Sequence, residues 1–349
     1  MTREDAFILW LMSLGLHKPW EILTRHGTAE AVFRNAADAR TAPHANTDYL
    51  EKLVNRTRAA LTDDVRFISY KHPDYPARLK SMSDAPLGLF TKGAVLPNPT
   101  IPAVAIIGTR DNTQYGGRVA EMLATELSAA GVIIISGMAR GLDSRAHEAA
   151  LAAGGQTCAV LPSGIDVCYP SENSRLYRHI AETGCLLTEF LPGFKPQRWS
   201  FPARNRIIAG MADILVVVEA DIKSGTGSTV DHALAQGKEV FAVPGKIFDK
   251  KSTGTNELIK QGAHILTDAA DVLLALKISH ADPIPEVPQK ISLASDETLV
   301  YDCLNYDPCS VDYIVYKTGL NIAVVNKLLL NMELAGHVKK LPGQRYIKS

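Results

Sequence analysis

At 349 residues, 46% hydrophobic and 21% charged, the chain is globular and has enough apolar material for two or three domains. Its 37 basic and 37 acidic residues cancel. That excludes a global field drawing it to polyanions, so any nucleic-acid site must be a local basic patch.

The first segment, Met1 to Leu16, has a short apolar run. It carries Glu4 and Asp5 and lacks a small-residue cleavage site, so it reads as an amphipathic helix rather than a signal peptide. No run reaches membrane-spanning length. To about residue 62, Ala6, Leu9, Trp10, Leu14, Trp20, Leu23, Ala31, Val32 and Phe33 recur at helical spacing and predict short helices. Short extended pieces follow at Phe67–Tyr70, Asp74–Pro76 and Pro86–Phe90.

From Pro102 to about Leu276 the pattern is strand, loop, helix, repeated. The predicted strands are Ala103–Ile107, Val132–Ile135, Thr157–Leu161, Leu186–Phe190, Ile214–Glu219 and Glu239–Val243. Continuous β-branched, apolar runs of this kind suit strands buried on both faces. With right-handed crossovers they predict a doubly wound parallel α/β domain. Asp282, Pro283, Pro285 and Pro288 then mark a linker. Helices at Asp296–Leu304, Val311–Thr318 (closed by Gly319) and Ile322–Ala335, with a terminal hairpin about Pro342-Gly343-Gln344, predict a winged helix. The domain boundaries are therefore 1–62, 63–276, a 277–291 linker and 292–349.

Each parallel strand ends in a polar loop, and such loops share one edge of the sheet, where ligands bind. The loops include Gly108-Thr109-Arg110, Ser136 to Gly141 with Gly137 and Arg140 inside, Pro162-Ser163-Gly164, Ser224-Gly225-Thr226 and Val243-Pro244-Gly245. The richest segment is Lys195 to Arg206, where Lys195, Arg198, Arg204 and Arg206 interleave with Trp199 and Phe201. Cations meet phosphates and flat rings stack on bases. The alternative is that Phe201 is core and the arginines pair internally. Asp143 suits a helix N-cap better than catalysis.

Neither G-x-G-x-x-G nor a Walker lysine pattern is present, so nicotinamide and ATP chemistry lose their usual warrant. No base–nucleophile or carboxylate pair is evident from spacing, and His147, His179, His232 and His264 read as structural. Five cysteines without C-x-x-C spacing point to a reducing cytosol, and no His or Cys grouping has zinc spacing.

These motifs, in this order, resemble the DNA-processing protein A family (DprA, also called Smf). The resemblance runs from Asp74-Tyr75-Pro76 through Ile107-Gly108-Thr109-Arg110, Ser136-Gly137 with Ala139-Arg140-Gly141, and Gly164-Ile165-Asp166 with Tyr169-Pro170. It continues through Phe201-Pro202 with Arg204 to Gly210, Ser224-Gly225-Thr226 and Val240 to Gly245. It implies an extended Rossmann-like domain, a homodimer, no catalytic turnover and no cofactor. It also implies sequence-tolerant binding of single-stranded DNA (ssDNA), protection of incoming ssDNA and loading of the RecA recombinase on it in transformation.

Carried over residue by residue, Arg110 is the arginine of the first loop, Phe201 the base-stacking ring and Arg198 the cation three positions before it. The expected DNA contacts are Gly108, Thr109, Arg110, Gly137, Arg140, Gly141, Arg198, Phe201, Arg204, Asn205, Arg206, Ser224, Gly225 and Thr226. The family's N-terminal domain resembles SAM-like helical modules, but the Gly15–Pro19 turn lacks the usual helix-hairpin-helix glycines. The recognition helix Ile322–Ala335 offers one cation, Lys327. The rival expectation is a Rossmann-like hydrolase of nucleoside monophosphates, for which Asp231 would be a poor stand-in for the usual Glu.

Overall fold

In the middle of the chain, strand residues alternate between two cores, and that alternation builds the molecule. The structure is a computed structural model and describes residues 1–16, 18–39, 45–93, 98–278, 295–304 and 308–348. Residues 1–279 cluster as one compact unit and residues 280–349 as another.

Four helices open the first unit: α1 (Arg3–Ser13), α2 (Pro19–His26), α3 (Ala29–Ala39) and α4 (Thr47–Ala60). Their starts follow local chemistry. Thr2 and Asp5 form a reciprocal capping box on α1, Pro19 begins α2 where an N–H is dispensable, and the Asn46 side chain accepts from the Tyr49 N–H. Ile8, Trp10, Leu11 and Phe33 are buried together. Leu87, Phe67 and Tyr70 belong to the same core, and Trp20 Nε1 donates to the Ala85 carbonyl at 2.6 Å. The helices are thus packed onto the segment that follows.

That segment supplies β1 (Val65–Ser69), α5 (Ala77–Lys80) and β2 (Gly88–Gly93). The α/β run continues with β3 (Ala103–Ile107), α6 (Gln114–Ala129), β4 (Ile133–Ser136), α7 (Leu142–Ala152), β5 (Thr157–Val160), α8 (Ser174–Thr183) and β6 (Cys185–Thr188). After it come α9 (Ser200–Met211), β7 (Ile214–Val217), α10 (Thr226–Ala235), β8 (Glu239–Ala242), α11 (Thr253–Lys260), β9 (His264–Ile265) and α12 (Ala269–Ala275).

Among the described residues the strands form one sheet in the order β1-β2-β6-β5-β4-β3-β7-β8-β9. Strands β3 to β9 run parallel; β1 and β2 are antiparallel additions, with Phe90 opposite Phe67 on one side and Thr188 on the other. Two of the short extended pieces expected ahead of the domain, at Phe67–Tyr70 and Pro86–Phe90, therefore overlap strands of its sheet, whereas Asp74–Pro76 forms a turn ahead of α5. The observed strands start or stop within one or two residues of those expected.

Ala103, Ala105 and Ile107 face a core with Ile207, Ile208 and Met211 of α9 and Val230 of α10. Val104 and Ile106 face the opposite core with Leu123, Leu127 and Ala146 of α6 and α7. Each of the larger side chains here (valine, leucine, isoleucine, methionine), wholly removed from water, contributes about 1.5–3 kcal/mol before the entropy of ordering is subtracted. Both faces being covered explains the apolar strand runs, and the winding in both directions from β3 puts a switch point between β3 and β7.

The second unit has α13 (Ser295–Cys303), β10 (Cys309–Ser310), α14 (Val311–Thr318), α15 (Ile322–Leu334), β11 (Val338–Leu341) and β12 (Arg345–Lys348), with sheet order β10-β12-β11. Gly319 ends α14 in the left-handed region, at φ 69°. Val300, Ile314, Val325, Leu329 and Met332 form its core. This is the expected winged helix. Most of the expected linker, including Asp282, Pro283, Pro285 and Pro288, lies outside the described residues. No helix among the described residues is long and apolar enough to cross a membrane.

Candidate nucleic-acid interface

Because β3 to β8 are parallel, the loops after them share one edge, as expected. Their conformations are fixed from below. Gly108 ends β3 where an added Cβ would lie 2.3 Å from Leu142 Cδ1 and 2.9 Å from the Glu219 carbonyl oxygen. The Glu219 side chain is buried, accepts from the Thr113 N–H at 2.9 Å, and takes a second hydrogen bond from the Thr113 hydroxyl. One carboxylate thereby anchors the turn that carries Arg110. In the next loop Gly141 has φ +82°, and its missing Cβ leaves room for the Thr109 and Arg110 carbonyls at 2.6 and 2.7 Å from that position. The β3 and β4 loops are packed backbone to backbone.

Above this floor, the exposed Arg110 guanidinium lies over the half-buried Phe201 ring, 4.9 Å from its centroid. Tyr169 meets the same ring edge-on at 5.6 Å. Phe201 is in the first turn of α9, so the loops after β3 and β5 both converge on its ring. Arg198 is exposed and makes no hydrogen bond or ion pair among the described residues. Arg140 is also exposed, 3.8 Å from Glu172 across solvent, a pairing of little energetic weight. Trp199 stands 59% exposed between Arg198 and the helix.

The chain as a whole has relatives of known family. Residues 66–277 match the model for DNA recombination-mediator protein A, and residues 284–344 match the DprA winged helix domain. The chain belongs to the DNA recombination-mediator protein A family. It is 38% identical over 243 residues to DNA processing protein DprA of Bacillus subtilis, covering 70% of this chain and 82% of that one. With protein Smf of Escherichia coli the identity is 35% over 279 residues, covering 77% and 74%. Two solved structures are similar. DprA from Streptococcus pneumoniae superimposes with a TM-score of 0.65 at 33% identity, covering 78% of this chain and 98% of that one. A Helicobacter pylori DNA processing protein A, described for its single-stranded DNA binding mode, gives 0.56 at 32% identity, covering 61% and 95%.

Several side chains expected to touch DNA are instead internal. Arg204 is buried: it donates to the Gly137 carbonyl at 2.6 Å and to the Val160 carbonyl, and Gly137 lacks a Cβ where that guanidinium lies. Burial pushes the Arg204 pKa down to about 10, against the pull of nearby Asp143, with Arg110 adding to the fall. Arg206 is spent on Glu189 and on Asp84, the latter at 3.5 Å. Both guanidiniums are turned inward onto protein partners, against the expectation that they lie open to phosphate. Asn205 is buried as well and donates to Ser228 Oγ at 2.8 Å, pinning the loop of Ser224, Gly225 and Thr226 from beneath.

Asp143 is not a cap. Gly141 is the N-cap of α7, and Asp143 accepts from the Gly137 N–H at 3.2 Å, where burial raises its pKa. Gly225 meets nothing within 4 Å of an added Cβ, so its backbone is open to solvent rather than crowded. Thr226 is buried at the start of α10.

Sequence reasoning missed Tyr169 and Glu219 as parts of this site. Tyr169 stands in the Tyr169-Pro170 motif, but its contact with Phe201 spans 32 residues. Glu219 sits at the end of a predicted strand, and nothing in its spacing points to Thr113.

Proposed function

We propose that this chain is a single-stranded DNA-binding protein that protects incoming ssDNA and loads RecA on it in transformation and homologous recombination. The observation that carries this reading is the Arg110 guanidinium held over the Phe201 ring on the carboxyl edge of the sheet. A flat ring accepts any base, an exposed arginine meets a phosphate or stacks, and neither reads sequence. Arg198, Arg140 and the open backbone at Gly225 extend the surface.

The described binding mode of the Helicobacter pylori relative and the family's recombination-mediator name support this reading. Binding is without catalytic turnover or cofactor, and the protein works in the cytoplasm. Two copies pair through the α/β domain. Supporting that, the edge strand β9 leaves the apolar Ile265 side chain 55% exposed.

The deciding experiment is a gel shift of oligo-dT against duplex of equal length across a salt series. Preferential, salt-sensitive binding of oligo-dT is expected. Equal affinity for duplex, or release of free base from a nucleoside monophosphate, would remove the reading, the latter in favour of a hydrolase. Sedimentation at micromolar concentration should show a dimer, and Ile265→Lys should shift it toward monomer.

A further inference from the structure

We propose that Trp199 is a second nucleobase platform beside Phe201. The inference rests on the ssDNA reading and adds a contact to it. Trp199 is 59% exposed, yet its ring is not loose. Phe190 meets it edge-on at 5.7 Å and Phe194 at 5.5 Å, and those two rings are stacked on each other at 4.6 Å with planes 10° apart. Phe190 is itself buried, so the trio is rooted in the core.

A large apolar ring held rigidly and left more than half in water loses little side-chain entropy when a partner covers it. What it offers is a flat surface already in position. Phe201, by contrast, takes its contacts from Tyr169 and Arg110. The two rings therefore belong to separate clusters at the start of α9. Their Cα atoms can be no further apart than about 7.6 Å, two virtual bonds. A strand that lays one base on Phe201 brings its neighbour to Trp199.

The local charge fits the occupant. Exposed Arg198 precedes the indole directly and exposed Lys195 lies four residues back; among the described residues neither has a carboxylate partner. Arg198 is thus placed for the phosphate linking the two bases.

The test uses the full-length protein and intrinsic fluorescence. Of the three tryptophans, Trp10 is buried and Trp20 is partly buried with its N–H bonded to the Ala85 carbonyl, so Trp199 is the one open to a stacking base. Oligo-dT should quench emission in step with binding followed independently by anisotropy of a labelled oligonucleotide. Trp199→Phe should abolish the quench while holding affinity within about threefold, because a ring remains. Trp199→Ala should weaken binding roughly 5- to 150-fold and leave the salt slope unchanged.

Anisotropy showing tight binding with no quench in the wild-type protein would overturn the platform and leave the ssDNA reading standing. So would a folded Trp199→Ala protein of wild-type affinity. Absence of any anisotropy change would instead sink the ssDNA reading and this proposal together.

Discussion

Residues 195–203 and residues 204–206 are neighbours in sequence and carry two cations each, yet those cations are placed oppositely. In the first stretch Lys195, Arg198 and Trp199 face solvent. In the second, Arg204 and Arg206 turn inward, onto the Gly137 and Val160 carbonyls and onto Glu189. The change comes with the first turn of α9, whose later residues pack against the sheet. Cation density therefore does not tell which cations are free; helix phase and partners distant in sequence decide that. The outer set is the one proposed to bind, and the inner set holds the loops that the outer set stands on.

The sharpest way to break this contrast is Arg204→Ala. Removing a buried guanidinium leaves two carbonyls and Asp143 unmatched in a dry site, a loss of about 3–5 kcal/mol. Urea unfolding should show it as a lowered midpoint at unchanged slope. Arg204→Lys should not restore stability, because one ammonium cannot reproduce the guanidinium fork. A stable Arg204→Ala protein with weakened ssDNA binding would return Arg204 to the outer set. Phe201→Ala should do the reverse, costing about 1–3 kcal/mol in ssDNA affinity with little change in salt slope. Aggregation or early melting of that variant would make the ring core.

A third test concerns His147, fully buried on α7. Thr157 Oγ1 donates to the Ile134 carbonyl at 2.8 Å, so His147 Nδ1, 2.6 Å away, must be the donor to Thr157, and Nε2 is left as an unpartnered acceptor. Burial, with Arg204 adding to it, lowers the His147 pKa from 6.5 to about 3. The unfolded chain takes up this proton and the folded one does not. The stability attached to His147 is thus complete above pH 6.5 and is lost as pH falls from there toward 3. By pH 5 the loss is about 2 kcal/mol. Thermal unfolding across pH should show this acid limb, and His147→Gln should flatten it; an unchanged limb would assign acid sensitivity to other groups.

Arg110→Ala and Arg198→Ala are smaller perturbations of the outer set. Each should weaken ssDNA binding for all sequences and flatten log K against log salt by roughly 0.7 for each phosphate no longer neutralised. Neither should lower the melting temperature much. Early melting of Arg198→Ala would place that side chain with the inner set.

The same division explains what was legible beforehand. Strands such as Ala103–Ile107 could be read because burial on both faces leaves a continuous apolar run. The edge they share followed from parallel topology alone. Pairing across long separations left no such mark: β2 against β6 joins residues about 98 positions apart, as with Phe90 and Thr188. Arg206 finding Glu189 and Asp84, or Asn205 finding Ser228, is equally invisible to spacing. Asp143 failed as a cap because Gly141 could adopt the φ +82° that the close approach of the β3 loop demands.

The smallest expected effect concerns the winged helix. Folds of this kind commonly lay a cation-bearing helix in a major groove. Here α15 exposes Ile322, Val324, Leu330 and Leu334, at 50%, 39%, 54% and 80%. Lys327 is the one cation in its sequence. An apolar outer face of that extent suits a protein partner better than phosphate. Lys339, Lys340, Arg345 and Lys348 sit on the hairpin, where any hold on phosphate would be weak and steeply salt-dependent. In sequence the preceding Asp282–Glu286 stretch is acidic and would repel phosphate. Truncation after Lys277 should therefore leave ssDNA affinity within about threefold at physiological salt, where exposed cations of this kind contribute little. Preference for single strands over duplex should be unchanged. Association with protein partners is what should disappear. A truncated protein still folded and dimeric, yet binding ssDNA about tenfold more weakly at that salt, would put the wing in the DNA path.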